Sequence, residues 1–477
     1  MLRRAPGIIN ARIAIRIGLP DPGLYCSRAG DNMSATFAEA LEARTQDVLD
    51  NCTRCGRCFE VCPMTAPAGI AEESATDVVG GVLDIIRGGS GTPASERWAQ
   101  VCSGSGSCIP ACPESVNPRF MLALARVAKQ RHATADEQHR NGSAAFSKMG
   151  RGVRVLSRMQ LPADVLKRFR SDSSAGTPPE VVFYTGCNVL KTPHIVLLAL
   201  DILDALGVSY TVMGGPGDCC GVLQFRAGDL DASGRIAYRT TDRFAGTGAG
   251  KVLAWCPTCT IQIGENVLPG RQGAAGAPAY DLEAFVVYLG DQLDRLRPLM
   301  RHRVEKRVGL HEHPGVARVC ESAIRILKAI PGLEYVELAQ PQVGYMCNTL
   351  QPLPAFKREV HRGILEAAAE AKVDALAGVY HACHRELCSH ERDWPFEVVN
   401  FLELIGEAMG IRREDNFKRL KKMQDTDRIL ADVMDLVESH GLGLEEVRAV
   451  IEKDLLGEQP LPLASARVDR DVTSAPG

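Results

Sequence analysis

The feature that most constrains this chain is a run of four closely spaced cysteines closed by a proline, Cys52-Thr-Arg-Cys55-Gly-Arg-Cys58-Phe-Glu-Val-Cys62-Pro63. The spacing C-x2-C-x2-C-x3-C-P wraps three thiolates round one iron–sulfur cubane and sends the fourth, braced by the proline, to a neighbouring cluster. Thiolates are the soft, anionic ligands that such clusters require. A bare C-x2-C would leave a zinc site open, but the full run with its proline favours iron–sulfur. A chain built round this run must fold so that distant cysteines meet.

Composition narrows the setting. The 477 residues hold 17 cysteines, an odd number, and 12 of them fall in tight clusters, which suits metal ligands in a reducing compartment better than structural disulfides. A net charge of −3 excludes a strongly basic nucleic-acid-binding surface, so no nucleic-acid partner is expected. The apolar content excludes general disorder. No uncharged apolar run is long enough to span a membrane, and Ile195–Val208, the most apolar helix candidate, carries Asp201 and Asp204. Residues 1–34 read either as a transit-like presequence, with four Arg and no acid in the first 20 residues, or as an overlong start, since Met33 opens the helical pattern Phe37–Leu49.

A second run, Cys102-Ser-Gly-Ser105-Gly-Ser-Cys108-Ile-Pro-Ala-Cys112-Pro113, repeats the first with Ser105 in place of a cysteine. By the crossed ligation of two-cluster ferredoxins, Cys52, Cys55, Cys58 and Cys112 hold one complete [4Fe–4S] cubane. Cys62, Cys102 and Cys108 are left for the other, with Ser105 at the empty corner. This pattern resembles the dicluster domain of succinate dehydrogenase and fumarate reductase iron–sulfur subunits, in which C-x5-C-x3-C-P marks a three-iron cluster. The resemblance implies [3Fe–4S] at the second site. A [4Fe–4S] cluster completed by Ser105 or solvent is the alternative, and a serine ligand would need an expensive deprotonated hydroxyl.

Six segments are expected: 1–34 as presequence or overlong start, 35–130 as a helical dicluster ferredoxin-like domain, and 131–179 as a basic linker. They continue with 180–300 and 301–412 as two repeated α/β cysteine-rich lobes, the second degenerate, and 413–477 as a helical tail with a disordered end. The fold class is therefore multidomain, α followed by α/β. Strand Val181–Gly186, helix Pro193–Leu206 and strand Val208–Met213 recur in the same order as Val308–His313, Ala317–Ile330 and Leu333–Leu338, the signature of βαβ units with parallel pairing.

The first lobe carries Cys187, then Cys219-Cys220-Gly221, then Cys256-Pro-Thr-Cys259, each near a strand end or in a Gly/Pro-rich loop. Five thiols exceed what one tetrahedral zinc needs. Together with the N-terminal runs, this order resembles the heterodisulfide reductase family, with its ferredoxin-like and cysteine-rich subunits fused. Relatives of that kind include the iron–sulfur subunits of glycolate oxidase and anaerobic glycerol-3-phosphate dehydrogenase. The resemblance implies that Cys187, Cys219, Cys220, Cys256 and Cys259 hold a noncubane [4Fe–4S] cluster. It implies an oxidoreductase that relays electrons through the two N-terminal clusters to this centre for disulfide/thiol chemistry. The alternative is an electron-transfer subunit linking a flavin dehydrogenase to quinone. A flavoprotein or other redox subunit is the expected partner, and a disulfide/thiol small molecule or a quinone-linked acceptor the expected reactant. The expected location is the cytoplasm, with peripheral contact at the inner face of a membrane through partners.

In the second lobe an offset of about 127 residues puts Gly315 opposite Cys187, Met346 opposite Cys219 and Cys347 opposite Cys220. Cys383 then falls opposite Cys256 and Glu386 opposite Cys259, so a second noncubane cluster is not expected. His311, His313, His381, His384, Cys388 and His390 crowd the same strand ends. Three readings stay open: a lobe kept for packing, histidines (His311 and His313 foremost) that deliver protons to the intact cluster, or a mononuclear metal site using Cys347, Cys383 and some of these imidazoles. Trp255 reads as a core aromatic and Gly214-Gly215-Pro216-Gly217 as a turn; Cys26, Cys320 and Cys388 have no assigned partner.

Overall fold

The computed structural model describes residues 36–170, 177–271 and 280–464. The presequence, Cys26 and the chain end expected to be disordered lie outside the described residues.

The N-terminal part is helical, and its helices deliver the cysteines. Helix Phe37–Asn51 starts at a Thr36–Glu39 capping box and stops at Cys52, whose backbone is extended. Helix Pro93–Val101 starts at Thr92 with proline in its first turn and stops at Cys102. Each cysteine run therefore begins where a helix ends. Ala75–Arg87 and Pro118–Lys129 pack between them, burying Val82, Leu83, Ile85, Phe120 and Met121. Phe59 meets Trp98 edge to face, with ring centroids 5.2 Å apart.

The stretch expected as a basic linker contains the 24-residue helix Ala135–Arg158, opened by a Thr134–Glu137 capping box. Its Arg-rich composition conceals one apolar stripe, and Val153, Val155 and Leu156 are buried on it. Arg154 on the outer face pairs with Glu446 of the C-terminal tail.

Two four-stranded, wholly parallel sheets follow. The first has β1 (Val181–Tyr184), β2 (Tyr210–Met213), β3 (Lys251–Ala254) and β4 (Asp281–Ala284) in the order β2-β1-β3-β4. The second has β5 (Arg307–His311), β6 (Glu334–Val336), β7 (Ala375–Gly378) and β8 (Glu397–Asn400) in the equivalent order β6-β5-β7-β8. Short, mostly buried strands joined through helices leave parallel pairing as the topology that covers both faces. The expected repeat is present, with strand ends one or two residues from their expected positions. In this topology the strand order reverses between β1 and β3, and between β5 and β7; ligands gather in such crevices at the carboxyl ends of the strands.

The register corrects the alignment of the two lobes. Val181 pairs with Lys251, and Val308 pairs with Ala375. Superimposing β5 on β1 thus puts Tyr380, not Cys383, at the place of Cys256, and Cys383 at the place of Cys259. Cys256 and Tyr380 each cap the helix that follows their strand. A single offset fails because the second lobe has fewer residues between these two strands.

The tail forms four short helices, Asn416–Met423, Thr426–Asp432, Met434–Ser439 and Leu444–Val450. Phe417, Leu420, Val447, Ile451 and Leu455 share one core with both lobes. Buried Lys421 donates to the Arg385 and Glu458 carbonyls, and Arg385 pairs with the Glu458 carboxylate at 2.6 Å. No helix among the described residues is long and apolar enough to cross a membrane.

Burial alone would raise the Glu458 carboxyl, but Arg385, Lys191 and Lys421 bring it down to about 2. A depressed carboxylate stabilises the fold above its unfolded range and loses that contribution as pH falls through the folded value. Glu458→Gln is expected to cost roughly 1.5–3 kcal/mol at neutral pH. The difference from wild type should shrink as pH falls from about 4.5 towards 2, measured by urea unfolding followed by circular dichroism.

Candidate functional site

The two N-terminal runs fold into matching loops. Arg54 and Gly56 in the first have φ of 59° and 84°, and Gly104 and Gly106 in the second have φ of 74° and 80°. Left-handed backbone at alternate positions curls the chain round a centre, and Arg54 tolerates it at some conformational cost. A Cβ on Gly56 would stand 2.7 Å from the Ala75 Cβ, so this turn admits only glycine. Ser105 therefore occupies the same loop position as Cys55, and the loop keeps its shape without the thiol.

Cys52, Cys55, Cys58 and Cys112 line one small cavity with Val116, Pro118 and Met121, so residues far apart in sequence meet as crossed ligation expects. Burial, followed by the charges of Cys52, Cys112 and Cys55, pushes the Cys58 thiol up to about 12. Cys62, Cys102 and Cys108 form the other group: burial and then the charges of Cys102 and Cys62 raise the Cys108 thiol. Burial also raises Cys62, against the opposing indole N–H of Trp98 beside it. That N–H is buried with no conventional hydrogen-bond partner among the described residues, a donor aimed at sulfur. Ser105 accepts a hydrogen bond from Ser107 at 3.3 Å, and the nearby Ser103 hydroxyl is buried without a partner.

Arg119, missed from sequence, ties this second group to both lobes. Its guanidinium pairs with Glu265 of the first lobe and donates to the carbonyls of Gly104 at 2.8 Å and Gly315 at 2.5 Å. Its signal was weak: an arginine opening an apolar helix directly after the second cysteine run. Glu265 lies on a π-helical turn, Gln262–Val267, following the Cys256–Cys259 helix, and such turns often mark functional sites.

In the first lobe all five cysteines are buried and in mutual contact at the β1/β3 crevice. Gly186 makes the room. Its φ is 71°, and a Cβ there would stand 2.8 Å from the Cys256 Cβ and 3.1 Å from the Cys259 sulfur. The Cys187 thiol donates to the Gly215 carbonyl at 3.2 Å, and the Gly221 N–H donates to the Cys219 sulfur at 3.4 Å. Contact with the Cys187 thiol, then with Cys220, drops Cys219 to about 3, and contact with Cys259 brings Cys256 to about 7. Cys187, Cys220 and Cys259 are held well above the usual thiol range. Each thiolate so formed raises its neighbours, and a polynuclear cationic core is suited to drawing five thiols together. The donor set therefore fits an iron–sulfur group.

In the second lobe His311 and His313 meet Cys347 and Cys383, with all four ligating atoms within 4.8 Å of one another. Of the sites the open readings allow for them, both imidazoles are placed against their own lobe's thiols. Burial lowers His311 to about 4; burial also pulls His313 down, but the charge and hydrogen bond of Cys383, the Val343 carbonyl and Glu386 together raise it. His361, missed from sequence, packs edge to face on His311 with centroids 6.4 Å apart. Glu386 pairs with Lys357 at 2.8 Å. His384 joins His194 round Asp415, away from these thiols, with Asp415 Oδ2 2.6 Å from the His384 Nε2. Tyr380 stands between the lobes, raised first by burial and then by Cys320, Cys383 and Cys256, and its hydroxyl has no hydrogen-bond partner among the described residues. Cys320 donates to the His313 carbonyl at 3.3 Å, and burial pushes Cys388 up to about 12.

Residues 181–264 match the CCG cysteine-rich domain. The chain is 22% identical over 422 residues, covering 80% of it and 98% of the relative, to a subunit of the dihydromethanophenazine:CoB--CoM heterodisulfide reductase of Methanosarcina acetivorans. It is 25% identical over 327 residues, covering 66% of it and 62% of the relative, to a subunit of the fumarate reductase (CoM/CoB) of Methanothermobacter marburgensis. No solved structure matches the chain.

Gly186→Ala tests the first-lobe crevice. The added methyl group is expected to remove the iron held there while the EPR signals of the N-terminal groups persist, measured by iron analysis and low-temperature EPR of the same preparation.

Proposed function

Starting from a chain that carries a CCG cysteine-rich domain and is homologous, at low identity over most of its length, to a heterodisulfide reductase subunit, we propose that it is the iron–sulfur component of a multi-subunit oxidoreductase of the heterodisulfide reductase type. The observation that carries this reading is the complete, buried set Cys187, Cys219, Cys220, Cys256 and Cys259 in mutual contact. These five would hold a noncubane [4Fe–4S] group. Cys52, Cys55, Cys58 and Cys112 would hold a cubane, and Cys62, Cys102 and Cys108 a [3Fe–4S] group with Ser105 at its open corner. When bound, these groups supply one-electron transfer along the chain and, in the first lobe, disulfide/thiol redox chemistry on a small molecule.

The protein's own residues set the conditions for that chemistry. Cys55 is exposed while Cys58 is buried, so the first group presents one edge outward, where a flavoprotein or other redox subunit would dock. Arg119 places a buried positive charge beside Cys102 and Cys108, stabilising their thiolates, and its carbonyl contacts fix the loop that carries Ser105. Trp98 adds an N–H beside Cys62 and excludes water there. In the first lobe Gly186 and Gly221 allow the backbone close to sulfur, and the Tyr184 hydroxyl donates to the Asp218 carbonyl at 2.7 Å, holding the loop before Cys219. We place the protein in the cytoplasm, with any membrane contact made through partner subunits.

The incomplete thiol set of the second lobe favours a second reading, an electron-transfer subunit linking a flavin dehydrogenase to quinone. The deciding experiment is anaerobic purification with iron and sulfide analysis and EPR of oxidised and reduced protein. A three-iron signal in the oxidised state is expected, and Ser105→Cys is expected to convert it to a reducible four-iron signal. A thiol added to the oxidised protein should perturb a signal that Cys219→Ser abolishes. No perturbation would favour the electron-transfer reading, and zinc without iron would defeat both.

A further inference from the structure

We propose that the second lobe holds one zinc ion, bound by His311, His313, Cys347 and Cys383 in a closed tetrahedral site. The four side chains converge on the β5/β7 crevice, and all are buried. The His311 Nε2 lies 3.2 Å and the His313 Nε2 3.5 Å from the Cys347 sulfur. Ligands of one tetrahedral ion, with metal–sulfur bonds of about 2.3 Å and metal–nitrogen bonds of about 2.0–2.1 Å, stand roughly 3.5 Å apart, so these separations fit a single ion.

Hydrogen bonds on the far side of each ring set the tautomers. The His313 Nδ1–H donates to the Val343 carbonyl at 2.7 Å. The His311 Nδ1–H donates to Gln340 Oε1 at 3.2 Å. That oxygen is identified by the Glu312 N–H, which donates to it at 2.9 Å, and by the Gln340 amide, which donates to the Leu310 carbonyl at 2.7 Å. Both Nε2 atoms therefore turn lone pairs towards the two sulfurs. Imidazoles fixed in this way, through the nitrogen that does not bind, are the usual support of a metal-bound histidine. Two nitrogens and two thiolates complete the coordination of zinc and leave no open position, which marks a structural site.

The same superposition of lobes explains why this site takes an ion and the first takes a cluster. His311 stands at the place of Tyr184 and His313 at the place of Gly186. In the first lobe, the absent side chain of Gly186 leaves room beside Cys256 and Cys259. In the second, the His313 ring occupies that space and Tyr380 replaces the thiol of Cys256. A two-iron group with paired histidines and paired cysteines is also excluded, since its nitrogens and sulfurs would sit on opposite irons and not in contact.

The ion would tie the 343–347 loop to the β5 end. This loop packs on the second cysteine run: a Cβ on Gly104 would stand 2.6 Å from the Tyr345 ring, and Val343 shares a small core with Met64 and Val101. Zinc in the second lobe would thus brace the loop that Cys102 and Cys108 flank.

The test uses full-length protein purified anaerobically, with metals measured together and the zinc K-edge absorption spectrum recorded. One zinc per chain is expected beside the full iron content, with two sulfur and two nitrogen neighbours. Cys347→Ser and His311→Ala should lose the zinc, Cys388→Ser should keep it, and the EPR line shape of the second N-terminal group should change with zinc loss. Absence of zinc from iron-replete wild-type protein, or a zinc shell of sulfur alone, would overturn the proposal. The wild-type spectrum decides this even if the variants fail to fold, and it does so independently of whether the first lobe reacts with thiols.

Discussion

A thiolate taken out of water beside other thiolates either takes up a proton or needs a cation, because each new negative charge is both desolvated and repelled by the last. The architecture of this chain follows from that constraint. Three groups of cysteines are assembled from residues distant in sequence, with left-handed glycines that bring backbone close, and the second also has the Trp98 indole and the buried guanidinium of Arg119 beside it. The helices and sheets around them hold loops whose shape would otherwise be unfavourable.

The two lobes show how one topology is turned to different ends by a few substitutions at strand ends. Both sheets have the same strand order and parallel pairing, and both gather ligands at the crevice where that order reverses. Five buried thiols surround the space opened by Gly186, a donor set that would suit a polynuclear group. Replacing that glycine with His313, and Cys256 with Tyr380, leaves a smaller pocket of mixed nitrogen and sulfur. The second lobe is therefore differently equipped rather than merely eroded. Its loops also carry the second cysteine run, through Gly315, Tyr345 and Arg119, so its integrity matters to the N-terminal groups.

Some of this was legible in the chain alone. The C-x2-C-x2-C-x3-C-P run predicts crossed pairing, and Cys112 does join Cys52, Cys55 and Cys58. The βαβ repeat was readable because β1 and β2 are continuous apolar, β-branched-rich runs with a helical pattern between them, and the order recurs at β5 and β6. The helix Ala135–Arg158 was not, because its arginines dominate the composition while only one narrow stripe is buried. The correspondence of Cys383 with Cys259 was hidden for a different reason: loop length between strands varies freely at the surface, so a constant offset holds for β5 and fails at β7.

Local spacing was enough to expect which cysteines come together and to read two α/β repeats, since these depend on short-range geometry and on hydrophobic period. Only the tertiary structure decided the rest. It turned His311 and His313 towards Cys347 and Cys383, put Arg119 between three segments, and made the tail part of the core. Those outcomes rest on contacts between residues separated by tens to hundreds of positions. Their strength depends on burial and orientation, which no local pattern encodes.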